Sequence, residues 1–235
     1  MAIRPVFVPD NTRPPFVKEV LIEFKWYPGL AKSQAQKSIG SLHAAAKNSG
    51  IDPILEISSK SMQRLGVDLS AFNLVLETKG HRVMSVECAF QGSKVFELGG
   101  PFTDLYAVSS REAKRDNRLR NSGNVIRFNF FGEDFPTKPL TAFYDWLYLK
   151  ALNQNDALAK QLLRYKGFTD IAFNPEKSFS CQARSAALFV ALSQIGKIND
   201  VINDKEHYLA LISDHNESLG KTKPQANLGC FDPKT

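Results

Sequence analysis

Between Phe16 and Phe24, Val20, Ile22 and Phe24 alternate with Glu19, Leu21 and Glu23, a two-residue period that predicts a strand with one buried face. The period then lengthens. Ile39, Leu42, His43 and Ala46 recur at helical spacing, so a helix is predicted from a Ser33 cap to about Asn48, with Gly50 ending it and His43 in a structural role. Ile54–Ile57 reads as a short strand that leads through Ser58, Ser59, Lys60 and Ser61 towards a loop at Phe72. Behind Ser85, a good N-cap, the stripe Val86, Ala89, Phe90, Ser93 and Phe96 predicts a packed helix. Its other face would carry Glu87, Gln91 and Lys94 at i, i+4 and i+7.

Further on, Ser109 or Ser110 can cap a helix with Arg111, Arg115 and Arg118 on one side. Asn124–Phe131 alternates like a strand, which Gly132 and Pro136 would end. Pro139 opens a helix over Leu140–Asn153 that carries Phe143, Trp146, Leu147, Leu149 and Leu152, with Trp146 as a core anchor, and a second helix is predicted over Asp156–Tyr165. Phe168–Phe173 is strand-like, Ser180–Gly196 is an apolar helix suited to a central position, and Lys205–Leu211 is helical before a loose tail. This order has no regular β-α-β rhythm, so the expected class is α+β, one mainly helical domain with a small sheet of short strands. Pro5, Pro9, Pro14 and Pro15 predict an extended surface arm over residues 1–16, followed by a domain over 17–213 and a tail over 214–235.

Composition narrows the setting. No apolar run approaches the roughly 20 residues of a membrane span, and the start of the chain lacks a signal-peptide pattern, so a soluble cytoplasmic protein without a membrane partner is expected. Cys88, Cys181 and Cys230 are an odd set without ligand spacing, and the histidines are scattered. Free thiols, no metal and no cofactor are therefore expected. The formal net charge of +6 matters for its placement, because Arg111, Arg115 and Arg118 could grip the phosphates of a nucleic acid. The plainer alternative is a solvated face paired with Glu112 and Asp116.

P-loop, dinucleotide-binding, nucleophile-elbow and His-Glu-x-x-His motifs are absent. Carboxylate chemistry remains: a Glu beside a Gln and a Lys suits cleavage of a glycosidic bond, whose leaving group must be protonated as the oxocarbenium ion develops. The same spacing also fits an ordinary solvated row.

Leu69-Ser-Ala-Phe-Asn-Leu followed by Ser85-Val-Glu-Cys-Ala-Phe-Gln-Gly-Ser-Lys-Val-Phe96 resembles the signature of the NADAR (YbiA-like) family, and within it the antitoxin branch paired with DarT-type DNA ADP-ribosyltransferase toxins. The likeness extends through Ser110-Arg-Glu-Ala-Lys, Tyr144-Asp-Trp-Leu-Tyr and Ala172-Phe-Asn-Pro, over roughly residues 54–195. It implies an N-glycosidase that hydrolyses the bond between ADP-ribose and the guanine amino group in DNA. The alternatives are a toxin- or ADP-ribose-binding antitoxin without turnover, and an N-glycosidase for a small ribosyl metabolite. The implied partners are ADP-ribosylated DNA and the cognate toxin, with direct toxin contact left open. The resemblance implies Glu87 as catalytic carboxylate, helped by Gln91 and Lys94, with Trp146 in the pocket wall. Ser70, Phe72 and Asn73 would form a loop over the sugar or adenine, beside Ser58, Ser59 and Lys60. Lys60 would meet phosphate, and Lys60 or Lys94 could trap an opened ribose as an imine. After the late proline many family members have an Asp and a Trp-Gly pair. This chain instead reads Asn174-Pro-Glu-Lys-Ser-Phe-Ser-Cys181, which puts Lys177 or Glu176 near the Asp position and leaves Asp170 or Glu176 to substitute.

Overall fold

The proline-rich start is a strand. In the computed structural model, which describes residues 1–175 and 178–213, β1 (Ala2–Pro9) pairs antiparallel with β2 (Val17–Phe24), from Ala2 opposite Phe24 to Pro9 opposite Val17. The expected surface arm is thereby corrected: β1 lies inside a four-stranded sheet, with Val6 and Phe7 buried. Proline lacks an N–H but accepts extended geometry. On its other side β1 meets its neighbour at a single residue pair, Phe7 opposite Phe168. Helix α1 (Lys32–Asn48) follows, and Gly50, at φ 84°, ends it as expected, with Gly50 N–H donating to Lys47 O and Ile51 N–H to Ala46 O. Ser33 lies inside the helix, one residue past its first position, and caps nothing.

The chain continues through β3 (Ile54–Glu56), α2 (Arg64–Asp68), the hairpin β4 (Val75–Glu77) and β5 (Val83–Ser85), α3 (Val86–Gly92) and β6 (Lys94–Phe96). A 3-10 turn at Thr103–Ala107 leads to α4 (Ser110–Arg115) and α5 (Arg118–Asn121). Strands β7 (Val125–Phe130) and β8 (Glu133–Phe135) form a hairpin around Phe131 and Gly132, both at positive φ, which is the two-residue turn that matches strand twist. The sequence pattern had no second strand there; Gly132 serves as a turn residue between paired strands. Then come α6 (Ala142–Asn153), α7 (Asp156–Leu162), β9 (Gly167–Thr169), α8 (Gln182–Gln194), α9 (Ile198–Asn203) and α10 (Lys205–Ser213).

The main sheet has the order β2-β1-β9-β3, with β9 and β3 parallel. Its two faces divide the core. Val6, Ile22, Phe24 and Ile54 pack with Ile39, Leu42 and Ala46 of α1, whereas Phe7, Val17, Leu55 and Phe168 join the larger core with α6 and α8. Val6 and Phe7 turn to opposite sides because successive strand residues do. Helix α8, buried along Ala186–Leu192, packs against α6 on one side and β1 and β9 on the other. The fold is α+β and a single domain. The expected tail over 214–235, Cys230 and Lys177 lie outside the described residues. Among the described residues no helix is long and apolar enough to cross a membrane.

Candidate functional site

Two ends of structure meet over one cavity. The parallel strands β3 and β9 finish side by side, with Glu56 opposite Thr169, and deliver Ser59, Lys60 and Asp170 to its floor. Opposite them stands α3. Ser85 caps α3 by accepting the Cys88 N–H at 3.1 Å, a contact worth about 1 kcal/mol in such helices. Val86 and Glu87 N–H groups donate to Leu74 O and Ala71 O, so the Phe72 loop and the helix start are one unit. Ser110 Oγ, at 2.8 Å from both Phe72 O and Ser85 Oγ, ties α4 to the same unit.

Helix α3 stops at Gly92, where a Cβ would meet the Tyr106 ring at 2.5 Å, so only glycine allows this close packing. Lys94 therefore does not complete a helical row. It lies on β6 opposite Phe128, yet still reaches the cavity, with Nζ 4.7 Å from the centre of the Phe90 ring. None of the three side chains is solvated: Glu87 and Lys94 are 5% exposed and Gln91 is 7%. Gln91 Nε2 donates to Glu87 Oε1 at 2.9 Å, and Lys114 Nζ lies 3.7 Å from that oxygen. Burial lowers the Lys94 amine to about 8; Glu87 pulls it back up and Lys114 pushes it further down.

Opposite α3, the strand side carries a pair of carboxyls. Asp170 lines the cavity, its oxygens taking the Ala172 N–H at 3.0 Å and the Gln182 amide at 2.9 Å. Glu56 stands behind it, fully buried, and accepts from Ser58 Oγ at 2.7 Å, Thr169 Oγ1 at 2.6 Å and Ile171 N at 2.9 Å. The residues either side of Asp170 are thus clamped by Glu56. Burial raises both carboxyls above their ordinary range, and the Asp170 charge raises Glu56 further. His43 Nε2 lies 2.8 Å from Thr169 Oγ1, and burial lowers this imidazole to about 4, in keeping with the structural role expected of it.

The cavity measures about 280 Å³. It is lined by four cationic side chains, Lys60, Lys94, Lys114 and Arg120, against the carboxyls of Glu87 and Asp170, with Phe72, Phe90, Tyr144, Phe173 and Phe179 as aromatic surface among the described residues. Cations suit phosphates and aromatic rings suit a base or sugar face. Among the described residues no group of His, Cys, Asp and Glu is placed to hold a metal ion.

Glu87, Gln91, Lys94, Ser59, Lys60, Ser70 and Phe72 line this one cavity. Others do not. Ser58 turns away to Glu56, and Asn73 donates to Val67 O at 2.8 Å, outside this cavity. Trp146 does not line the cavity; it packs on Phe135, with Lys150 over its ring, and Tyr144, two residues earlier, takes the wall position. Arg111, Arg115 and Arg118 form no continuous strip, because the chain leaves the helix at Asp116 and α5 restarts it in another phase. Arg118 is held by Asp104 at 2.6 Å and Asp116 at 2.8 Å, and lies over Phe102. From this basic segment, Lys114 and Arg120 reach the cavity. Lys114 stood within the Ser110–Lys114 motif and Arg120 at the end of the basic run from Arg111, off the face of Arg111, Arg115 and Arg118; Glu56 and Gln182 read as ordinary strand and helix residues.

A family model described as the DarT1-associated NADAR antitoxin matches residues 2–222. No curated protein matches the chain.

Proposed function

The chain belongs to the family of DarT1-associated NADAR antitoxins, and from that premise we propose that it is an N-glycosidase that removes ADP-ribose from the guanine amino group of DNA. A DarT-associated antitoxin role comes with the family. The catalytic reading rests above all on the two carboxyls that face one cavity from different environments.

Glu87 is held by the Gln91 amide at 2.9 Å, with the Lys114 ammonium 3.7 Å away. Burial raises the Asp170 carboxyl and so favours its proton, although the Ala172 and Gln182 N–H donors and the charges of Lys114 and Lys60 pull it back. A carboxyl raised by burial suits the role of acid, which leaves Glu87 the role of base. In the proposed reaction Asp170 protonates the departing guanine nitrogen while Glu87 stabilises the positive charge at the ribose carbon and then takes a proton from the incoming water. The C–N bond breaks, a C–O bond forms, and ADP-ribose and unmodified guanine leave. Lys60, Lys114 and Arg120 hold the pyrophosphate, and Phe72 and Tyr144 contact the sugar and base.

The buried Lys94 amine favours a second course. Its neutral amine would attack the ribose carbon as the bond to guanine breaks, with Asp170 protonating the departing nitrogen; the lysine adduct gives up its amine proton and opens its ribose ring to an imine, which water hydrolyses to ADP-ribose and free lysine. Borohydride added during turnover traps a protein adduct on this course and none on the first.

Incubation with a guanine-ADP-ribosylated oligonucleotide is the direct test. Release of ADP-ribose with recovery of the unmodified strand is expected. Toxin neutralisation by wild type and Glu87→Gln alike, with no ADP-ribose released by either, would replace the enzyme with a binding antitoxin.

A further inference from the structure

Phe72 is a wall between two hollows. It lines the cavity and also borders a shallow groove that runs over Asn73, Val83, Met84, Tyr106, Val108 and Arg111. Helix α4 places a cation on each side of that wall: Lys114, whose Nζ is 5.1 Å from the centre of the Phe72 ring, in the cavity, and Arg111, three residues earlier, in the groove. The groove's own apolar surface is open, Val83 being 58% and Val108 38% exposed. No carboxylate lines it among the described residues, and Glu112, next to Arg111, is turned back onto the Ser109 N–H and hydroxyl. Beyond the groove's edge Arg82 lies over Phe131, whose ring stacks on Tyr106 at 5.2 Å.

Cations interleaved with aromatic and apolar surface, continuous with a nucleotide-sized cavity, form the pattern that follows a single nucleic acid strand: bases take the flat surface and phosphates the cations. A base that enters the cavity must leave its stack, and its neighbours are then carried over the rim. We propose that the groove across Phe72 seats the nucleotide adjoining the modified guanine, with its base against Phe72, Val83 and Val108 and its phosphate on Arg111. This rests on the glycosidase reading above.

The test uses two substrates and two variants. ADP-ribosylated guanosine monophosphate lacks neighbours, and an ADP-ribosylated oligonucleotide has them. Val83→Asp and Arg111→Glu change exposed groove residues and leave the cavity intact. Each is expected to raise KM for the oligonucleotide about tenfold, in line with the loss of one stacked base or one phosphate contact, and to leave both constants for the mononucleotide unchanged. Fluorescence anisotropy with an unmodified labelled oligonucleotide should weaken in parallel, and this second measurement reads the groove even where neither substrate is hydrolysed. Equal effects on both substrates overturn the proposal, as does unchanged oligonucleotide binding. So does loss of toxin binding with oligonucleotide kinetics intact, which assigns the groove to a protein. Failure of wild type to hydrolyse either substrate, with anisotropy still sensitive to the variants, counts against the glycosidase reading and keeps the groove.

Discussion

The two walls of the cavity are built from opposite materials. On the α3 wall the carboxyl of Glu87 is surrounded by donors and cations, and its backbone is fixed by a capped helix and the Phe72 loop. On the strand wall Asp170 stands before Glu56, and the hydroxyls and amide that hold them compensate burial only in part. Donors and a cation surround the carboxyl of one wall, whereas burial raises the carboxyls of the other, although both present a carboxyl of the same chemistry. In the proposed mechanism, what lies behind each carboxyl decides its role more than the identity of the side chain.

The sharpest break of this contrast is at Glu87. Glu87→Gln preserves shape and is expected to slow hydrolysis about 10²–10⁴-fold, with little change in the thermal unfolding midpoint; wild-type kinetics from this variant would remove Glu87 from the chemistry. Asp170→Asn follows, with an expected loss of about 10²-fold, and a pH–rate profile that loses its high-pH limb, since the acid form is what the proposed role requires. An unaltered profile would place the proton donor elsewhere.

Glu56 tests the strand wall through stability. Its folded carboxyl is raised above the ordinary 4.5, so the folded chain binds a proton that the unfolded chain releases. The contribution is full below pH 4.5 and declines as pH rises towards the folded value. Glu56→Gln should flatten the fall in melting temperature over that window, read by calorimetry in a pH series, while Glu56→Ala leaves three donors unsatisfied at about 1–3 kcal/mol each before relaxation. A parallel pH series for Glu56→Gln and wild type would mean that the pair holds no extra proton.

The smallest effect is expected at His43. Lowered to about 4, it costs the folded state stability as pH falls from 6.5 towards 4. His43→Gln should reduce that acid-side loss and change stability near neutrality by about 1 kcal/mol, the worth of one hydrogen bond; chemical denaturation at two pH values measures both.

The α3 wall was much more legible in the sequence than the strand wall. Ser85, Glu87 and Gln91 sit within one helix, where local spacing is geometry, and Lys94 reached the same place from a strand only because β6 follows the helix after one residue. Glu56 and Asp170 are 114 positions apart and meet through parallel pairing of β3 and β9, which no local period encodes. The basic strip failed for a related reason: helical phase predicts a face only while the helix continues, and Asp116 breaks it. Trp146 was drawn to the pocket by its motif, but α6 is buried nearly all round and turns Tyr144 there instead. Prolines in β1 read as surface chain because pairing with β2 is invisible to composition.

Gln182 gives the contrast a lasting consequence. Its amide donates to Ile57 O at 2.7 Å and to Asp170 at 2.9 Å, and its oxygen accepts the Ala71 N–H at 2.7 Å, next to the loop that carries Phe72. One side chain thus fastens β3, the Asp170 turn and the loop under α3, and both its N–H bonds are spent. A change at this one side chain is therefore felt on both sides of the cavity at once, because the floor and the α3 wall are fastened through the same amide.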